Sequence, residues 1–222
     1  MEKTIKDKKN EYIKEEIFNT AKEIVSKQGI ENLSIRKIAK NIGYSPGNIY
    51  QYYQNKEAIV EDILKEGYIK LIESISIEPE KNLNMLDLIK FKFENYAKAA
   101  LDIPEIYREI MINSSDNILK YTGIFKNKKK QKGIQQLEMY LDKAVENKEI
   151  KDINTQEVSL ILWSSIVGII LRSIIEKNKD EEIVLDMIES TIDIVFDGLR
   201  LWVKKINKAI RMKIYFLKYK TF

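Results

Sequence analysis

Apolar residues recur at intervals of three or four positions along most of the chain, a spacing typical of amphipathic α-helices. Near the N-terminus this spacing is followed by Ile13, Ile17 and Ala21. The pattern predicts four helices in this part of the chain, over Glu11–Lys27, from Ser34 to Ile42, from Ser45 onwards, and from Asn55 to about Ser76. Pro79 then closes the block.

Residues at the predicted helix ends support these boundaries. Ser34, Ser45 and Asn55 have side-chain oxygens that accept hydrogen bonds from the first backbone N–H groups of a helix. Gly29 and Gly43 directly follow the last apolar turn of the first and second helices, where glycine commonly ends a helix. The local signals therefore predict several short helices connected by tight turns.

Helical spacing continues beyond Pro79, and no segment shows sustained alternation of apolar and polar residues. Further helices are predicted at about 84–101, 104–113, 115–148, 155–177 and 181–206. We therefore expect an all-α protein with about nine helices. An N-terminal three-helix domain would span residues 1–54, with the fourth helix, 55–76, as a connector. A larger helical domain would span 77–206, followed by a basic, aromatic tail at 207–222.

Composition excludes several classes of function. The chain has 222 residues, of which 44% are hydrophobic and 32% charged, as in a soluble globular protein with a substantial core. It contains no cysteine and no histidine, so disulfides, thiolate metal sites and the most common general base are excluded. An enzyme that uses carboxylates or lysine remains possible, but the usual catalytic constellations cannot be built. We therefore expect no enzyme, no catalytic residue, no bound metal and no cofactor.

One segment approaches the length of a membrane-spanning helix, Val158–Ile175. Arg172 lies within it, and serine and glycine residues occupy its middle, so a buried helix is the better interpretation. The N-terminus is charged and lacks the apolar stretch of a signal peptide. We expect a cytoplasmic protein without a membrane partner.

The net charge of +4 is distributed unevenly. Eight basic residues and no acid follow Asp197, which leaves residues 1–197 with a net charge of −4. Binding to a polyanion can therefore be argued only from local patches of charge.

One such patch is the segment Leu33–Ile59, LSIRKIAKNIGYSPGNIYQYYQNKEAI. Two short helices joined by a glycine-containing turn predict a helix-turn-helix, in which the second helix enters the major groove of DNA. From Asn32 to Lys56 there is no acid to repel phosphates, and Tyr50, Tyr52 and Tyr53 could contact sugars or donate to phosphates. The same tyrosines could equally be packing residues, so the pattern alone leaves both interpretations open.

Residues Ile17–Leu64 resemble the N-terminal DNA-binding domain of the TetR family of bacterial repressors. The matching positions are Ala21, Gly29, Ser34, Ile38, Ala39, Gly43, Tyr44, Ser45, Gly47, Asn48, Ile49, Tyr50, Tyr53, Asn55, Lys56 and Glu57. The rest of the chain matches the family in length and helical character. The resemblance implies a ligand-responsive repressor that binds a palindromic operator in double-stranded DNA as a homodimer, with an unknown small-molecule effector.

The resemblance also implies roles for individual residues. Phosphates would be met by Ser34 and Arg36 at the start of the second helix, and by Tyr52 and Lys56 on the far side of the groove. The groove or its walls would be faced by Ser45, Pro46, Gly47, Asn48, Tyr50 and Gln51. Two positions depart from the family. Members often have a small or polar residue where this chain has Pro46, and often a histidine where it has Tyr52. Ile49 and Tyr53 are assigned to the core of the domain.

The predicted helix at 155–177 is apolar nearly all round, and the one at 181–206 carries an apolar and an acidic stripe. Two such helices from each of two chains would form the four-helix dimer interface that the resemblance implies. They could instead fill the core of a monomer. The candidate interface residues are Ser165, Gly168, Ile188, Ile192, Val195, Leu199 and Trp202.

The resemblance further implies an effector pocket among the middle helices. Its candidate lining residues are Phe91, Tyr96, Tyr107, Met111, Tyr121, Phe125, Trp163 and Arg172. Aromatic residues at helical spacing are more often ordinary core. Arg172 lies in an apolar run and needs a carboxylate, an anionic ligand or a path to solvent. Effector binding would shift the fourth helix, so that the two recognition helices no longer match the spacing of the half-sites.

Two basic segments remain. The lysine run at 126–132 is interpreted as a solvated surface. The tail could be a membrane-surface or partner helix, an extended segment packed on the body, or a vector-derived extension. An alternative function follows from it, a helical adaptor or peripheral membrane protein that binds through this tail.

Overall fold

The computed structural model describes residues 4–112, 132–178 and 180–198. Within these ranges the chain forms nine α-helices, one 3₁₀ turn (Ile30–Asn32) and no strand, which confirms the all-α prediction. The helices are α1 (Ile5–Gln28), α2 (Ile35–Ile42), α3 (Pro46–Ile49), α4 (Lys56–Ser76), α5 (Met85–Leu101), α6 (Pro104–Ile112), α7 (Lys132–Glu146), α8 (Thr155–Ile175) and α9 (181–198).

The predicted caps form. The side-chain oxygens of Ser34, Ser45 and Asn55 accept from backbone N–H groups three residues later, at 3.2, 3.3 and 2.8 Å. Gly29 and Gly43 end α1 and α2 with φ of +83° and +73°, a region that favours glycine because it has no Cβ. These local interactions explain why the first four helices were predictable.

Helix α1 begins earlier than the predicted start at Glu11. Thr4 forms a capping box, in which its hydroxyl oxygen accepts from Asp7 N at 3.2 Å. The Thr4 hydroxyl and backbone N–H donate to the Asp7 carboxylate at 2.6 and 3.0 Å and lower the pKa of that carboxyl. Helical periodicity missed this start because the first turns are mostly polar, although the spacing Thr-x-x-Asp is itself a helix-start signal.

The described residues form two compact units. The first unit comprises the described parts of Met1–Ser76 and Lys98–Gln131. It therefore contains α6 together with the first four helices. Helix α6 packs on α1 and α4. A Cβ at Gly67 of α4 would lie 2.5 Å from Ile106 Cγ2, so glycine is what allows this close approach. The core includes the fully buried Ile17, Ile38 and Ile63.

The second unit contains most of α5 together with α7, α8 and α9. Helices α7 and α8 pack closely where Gly133 lies against the indole of Trp163. Lys92 of α5 is buried, and its ammonium donates to the Ile77 carbonyl at 2.6 Å and the Glu78 carboxylate at 3.0 Å. This hydrogen bonding satisfies a buried charge that would otherwise be costly.

By length and composition, α8 is the one helix of the described ranges that could cross a membrane. Of its most apolar window, 44% is buried inside the chain, and Ser164, Gly168 and Arg172 lie on its exposed side. A core helix of a soluble protein passes the same test, so α8 is weak evidence for a membrane protein.

Candidate nucleic-acid interface

The segment from α2 to the start of α4 has the geometry of a helix-turn-helix. Helix α3 is a single helical turn, Pro46–Ile49. Backbone hydrogen bonds continue the turn, from Tyr52 N to Ile49 O at 3.0 Å and from Tyr53 N to Ile49 O at 3.1 Å. The backbone thus holds the tyrosine run (Tyr50, Tyr52 and Tyr53) in a compact coil directly after the short helix.

Apolar anchors decide which side of this segment faces outward. Ile49 is completely buried and Tyr53 is 6% exposed, which confirms their assignment to the core. Ile38 and Ala39 of α2 are buried against the same domain. With these side chains turned inward, most residues between them are exposed, and Ile42 and Tyr44 are half-buried.

All ten predicted DNA-binding residues retain exposed surface. Half-buried positions are occupied by Tyr52 and Lys56, and the exposed ones are Ser34, Arg36, Ser45, Pro46, Gly47, Asn48, Tyr50 and Gln51. Tyr50 has 56% of its surface exposed, which is high for an aromatic side chain without a partner. The sequence from 32 to 56 that carries this surface contains no acid.

The two capping serines can donate hydrogen bonds to DNA while they cap their helices. The oxygens of Ser34 and Ser45 accept from the backbone at the starts of α2 and α3. A hydroxyl that accepts one hydrogen bond still has a proton to donate. Both O–H groups can therefore donate to phosphate oxygens without loss of the cap.

Basic side chains in this region differ in orientation. The ammonium of Lys37 turns back to α1, where it donates to the Gln28 side chain and lies 3.4 Å from the Asn32 carbonyl. Arg36 and Lys40 are exposed. Lys37 therefore positions α2, while Arg36 and Lys40 supply positive charge at the surface.

Helix α1 reaches the tyrosine run, a contact that the sequence pattern did not reveal. The Tyr52 hydroxyl lies 3.5 Å from Asn10 Oδ1, and Lys14 Nζ lies 5.2 Å from the centroid of the Tyr53 ring. Both α1 residues precede the segment that resembles a known family, so the resemblance could not indicate them.

The Tyr53 hydroxyl is held by a carboxylate beneath the interface. Burial, the negative charge of Asp62 and a hydrogen bond to that carboxylate raise the pKa of Tyr53 to about 12. Tyr53 is therefore a neutral donor at physiological pH. Its hydroxyl ties the end of the turn formed by residues 46–53, here called the recognition turn, to α4.

A family model now decides the identity of this domain. The model of bacterial regulatory proteins of the tetR family matches residues 17–63, a segment that contains all ten predicted DNA-binding residues. The DNA-binding domain at residues 17–63 is of the TetR family.

Curated relatives of this chain are regulators. The HTH-type transcriptional regulator UidR of Escherichia coli K12 is 25% identical over 159 residues, covering 69% of this chain and 78% of that protein. The fatty acid metabolism regulator protein of Bacillus subtilis 168 is 35% identical over 69 residues, covering 31% of this chain and 34% of that protein. With its TetR-type domain, the chain is a DNA-binding transcriptional regulator.

A solved structure shares the fold over most of the chain. The fatty acid degradation regulator FadR from Bacillus halodurans superposes with a TM-score of 0.63 over 90% of this chain and 99% of that chain, at 16% sequence identity. At this identity the likeness shows the all-helical fold with its N-terminal helix-turn-helix.

The candidate effector residues are distributed over both units. In the second unit, Tyr96 and Trp163 are buried with ring centroids 5.2 Å apart, and Phe91 is half-buried. In the first unit, Tyr107 is fully buried and Met111 half-buried. Tyr121 and Phe125 lie outside the described residues.

Arg172 is corrected as a pocket residue. Its side chain is 72% exposed, and its Nε lies 2.5 Å from a carboxylate oxygen of Glu176. The sequence left open whether Arg172 meets a carboxylate, an anionic ligand or solvent, and the residue occupies the solvent side of α8. It has both a carboxylate partner and a path to water, so it needs no anionic ligand.

Part of the predicted dimer interface is also corrected. Ile188 and Ile192 are 2% and 0% exposed, so their stripe of α9 packs into its own chain. Val195 and Ser165 are half-buried, and Gly168 is exposed. Leu199 and Trp202 lie outside the described residues. The apolar residues that α9 exposes are Ile183, Met187 and Ile194, at 50%, 52% and 71%.

Proposed function

We propose that this TetR-family regulator is a cytoplasmic repressor that binds a palindromic operator as a homodimer and releases it when a small-molecule effector binds. The observation that carries the DNA-binding part is the acid-free outward surface from α2 to the start of α4. It presents hydroxyl, amide and cationic side chains and keeps its apolar anchors buried.

The chemistry of this surface suits the major groove. Asn48 has an amide that can pair with the edge of adenine, and Gly47 allows close approach of the backbone. Arg36 and Lys56 supply charge for phosphates, which set affinity and orientation but carry no sequence information. Tyr50 can pack on a sugar or a thymine methyl group.

The homodimer is supported by two exposed apolar stripes in the second unit. Helix α8 exposes Ile161, Gly168 and Ile175 at intervals of seven residues. Helix α9 exposes Met187 and Ile194, also seven apart, together with Ile183. A spacing of seven keeps side chains on one side of a helix, as required for helix packing. A two-fold axis would bury both stripes and place the recognition helices about 34–36 Å apart.

The effector part of the proposal is supported by unsatisfied polar groups. Among the described residues, Asn95 Nδ2 and Ser173 Oγ are buried without a hydrogen-bond partner. A buried unpaired donor costs about 1–3 kcal/mol, and a bound ligand is one partner that would remove this cost. Both lie in the second unit. The effector must bind the DNA-released state more tightly than the DNA-bound state.

A salt series of fluorescence-anisotropy titrations tests the proposal, with DNA fragments that flank the gene. We expect saturable binding to one palindromic fragment. Lys56→Gln should reduce the slope of log K against log salt by about 1, the change expected when one phosphate contact is lost. Lys65→Gln is the matched control, because Lys65 is exposed on the opposite face of α4 and should leave the slope unchanged. A reporter gene behind the fragment should be silenced by the wild type.

Two results would contradict the proposal. Weak binding that is equal for every fragment would show that no operator is recognised. Equal effects of Lys56→Gln and Lys65→Gln would show that the α2–α4 surface does not face DNA.

A further inference from the structure

The first three turns of α1 lie outside the segment matched to the family model, which begins at residue 17. They are nevertheless tied to the recognition turn, through Asn10 beside the Tyr52 hydroxyl and Lys14 above the Tyr53 ring. Through Tyr52, a predicted phosphate contact, the start of α1 lies beside the surface that faces DNA in the proposed function.

Helical geometry shows which lysines share that side of α1. Residues four apart lie on one face, so Lys6 stands one turn before Asn10 and Lys14 one turn after it. Lys9 lies next to this face, one turn before the buried Ile13. Lys6 and Lys9 therefore extend the face that contacts the recognition turn.

The opposite side of α1 is turned away from this contact. At about 100° per residue, Lys8 lies about 160° from Asn10 around the helix axis. Tyr12 occupies the same far side and is 65% exposed, as expected of a residue that faces solvent. Lys8 has the same charge and sequence neighbourhood as Lys9 but a different direction.

The start of α1 is helical and basic. Residues 4–10 contain three lysines and one acid, Asp7. The Asp7 carboxylate accepts from the Thr4 hydroxyl and N–H, so its charge is directed to the helix start. The capping box also satisfies backbone N–H groups of the first turn, so contacts with a ligand must come from the lysine side chains.

We propose that Lys6 and Lys9 form a second DNA-backbone contact, which binds phosphates that flank the base pairs read by α3. This inference rests on the proposed function. A helix rises 1.5 Å per residue, so Lys6 lies about 6 Å beyond Asn10 along the axis, and its side chain extends the reach further. Phosphate contacts of this kind raise affinity for every sequence and fix the orientation of the domain.

The experiment uses the full-length protein and the operator fragment found above. Lys6→Gln and Lys9→Gln should each weaken binding several-fold and reduce the salt slope by about 1. The preference for operator over unrelated DNA should stay the same, because phosphates carry no sequence information. Lys8→Gln, the matched control, should keep the wild-type slope. Hydroxyl-radical footprints of the Lys6→Gln/Lys9→Gln variant should lose protection at the flanks and keep it at the centre.

The outcomes separate this inference from the proposed function. If Lys6→Gln, Lys9→Gln and Lys8→Gln all keep the wild-type salt slope and footprint, the second contact is absent. Operator binding that depends on Lys56 would then still support the proposed function. If the wild type recognises no operator, both fail. Circular dichroism of each variant verifies that α1 remains helical, so a lost slope cannot be attributed to unfolding.

Discussion

At the scale of single residues, neighbouring tyrosines have opposite roles. Tyr53 is buried, donates to Asp62 and lies under the ammonium of Lys14. Tyr50, three residues earlier, is 56% exposed on the surface proposed to meet DNA. The coil of the backbone separates them, because Ile49 and Tyr53 are one turn apart on the inner side. Aromatic content alone therefore does not identify a contact residue.

Tyr53→Phe tests the structural role of the hydroxyl. The variant keeps the ring and loses the hydrogen bond to Asp62, which should lower the free energy of unfolding by about 1 kcal/mol near pH 8. The folded pKa of about 12 lies above the ordinary value of about 10. The stabilisation by the hydroxyl is therefore complete below pH 10 and is lost as the pH rises towards 12.

Urea unfolding at several pH values measures this difference. The gap between wild type and Tyr53→Phe should narrow from pH 8 to pH 11. Tyr50→Phe is the control and should unfold like the wild type throughout, because its hydroxyl is exposed. A gap that stays constant with pH would show that the Tyr53 proton does not stabilise the fold.

At the scale of helices, close packing in the first unit depends on a glycine. Gly67 is buried in α4, where a Cβ would approach Ile106 Cγ2 to 2.5 Å and Ile110 Cδ1 to 3.1 Å. Glycine in a helix costs about 1 kcal/mol relative to alanine. The cost is offset here by the packing of α6 on α4.

Gly67→Ala should destabilise the protein. The new methyl group overlaps a β-branched side chain that cannot rotate away freely, and such overpacking costs about 1–3 kcal/mol. Ile106→Ala should cost about 2–5 kcal/mol by itself. In the double variant the methyl group fills space left by isoleucine, so the sum should be less than additive. Urea unfolding of the wild type, the two single variants and the double variant measures the coupling between the two free-energy changes. Strict additivity would show that residues 67 and 106 do not compete for space.

At the scale of the whole molecule, the two sides of α9 serve different contacts. Ile188 and Ile192 pack inside the chain, whereas Ile183, Met187 and Ile194 are exposed. The ammonium of Lys90 on α5 pairs with Asp193 and Glu189 at 2.8 and 3.0 Å. Burial alone would lower the pKa of Lys90, but these carboxylates raise it. The ion pairs and the buried stripe together orient α9 so that its second apolar stripe points outward.

Ile194→Glu should convert the proposed dimer into monomers. A carboxylate at the centre of an apolar contact would be desolvated without a partner, and the two-fold axis would place it there twice. Sedimentation equilibrium should give half the wild-type mass, and operator affinity should fall because each monomer contacts one half-site. Ile69→Glu is the control, since Ile69 is 45% exposed on α4, outside the proposed interface. A dimer that survives Ile194→Glu would rule out this face.

Much of the helical framework was determined by the sequence itself. Helix α5 was predicted at 84–101 and forms over Met85–Leu101, and the three caps at Ser34, Ser45 and Asn55 form as expected. These features depend on residues a few positions apart, whose interactions persist whatever the rest of the chain does. The DNA-binding segment was recognisable for the same reason, because its turn, glycines and aromatic residues lie within one short stretch.

The direction in which a helix turns its faces was decided only by the tertiary structure. Arg172 lies in an apolar run yet faces water, and α9 buries Ile188 and exposes Ile194 although both are apolar. The contact of Asn10 with Tyr52 joins residues 42 positions apart. An amphipathic pattern shows that a helix has sides, but the packing of distant segments selects the side that is buried.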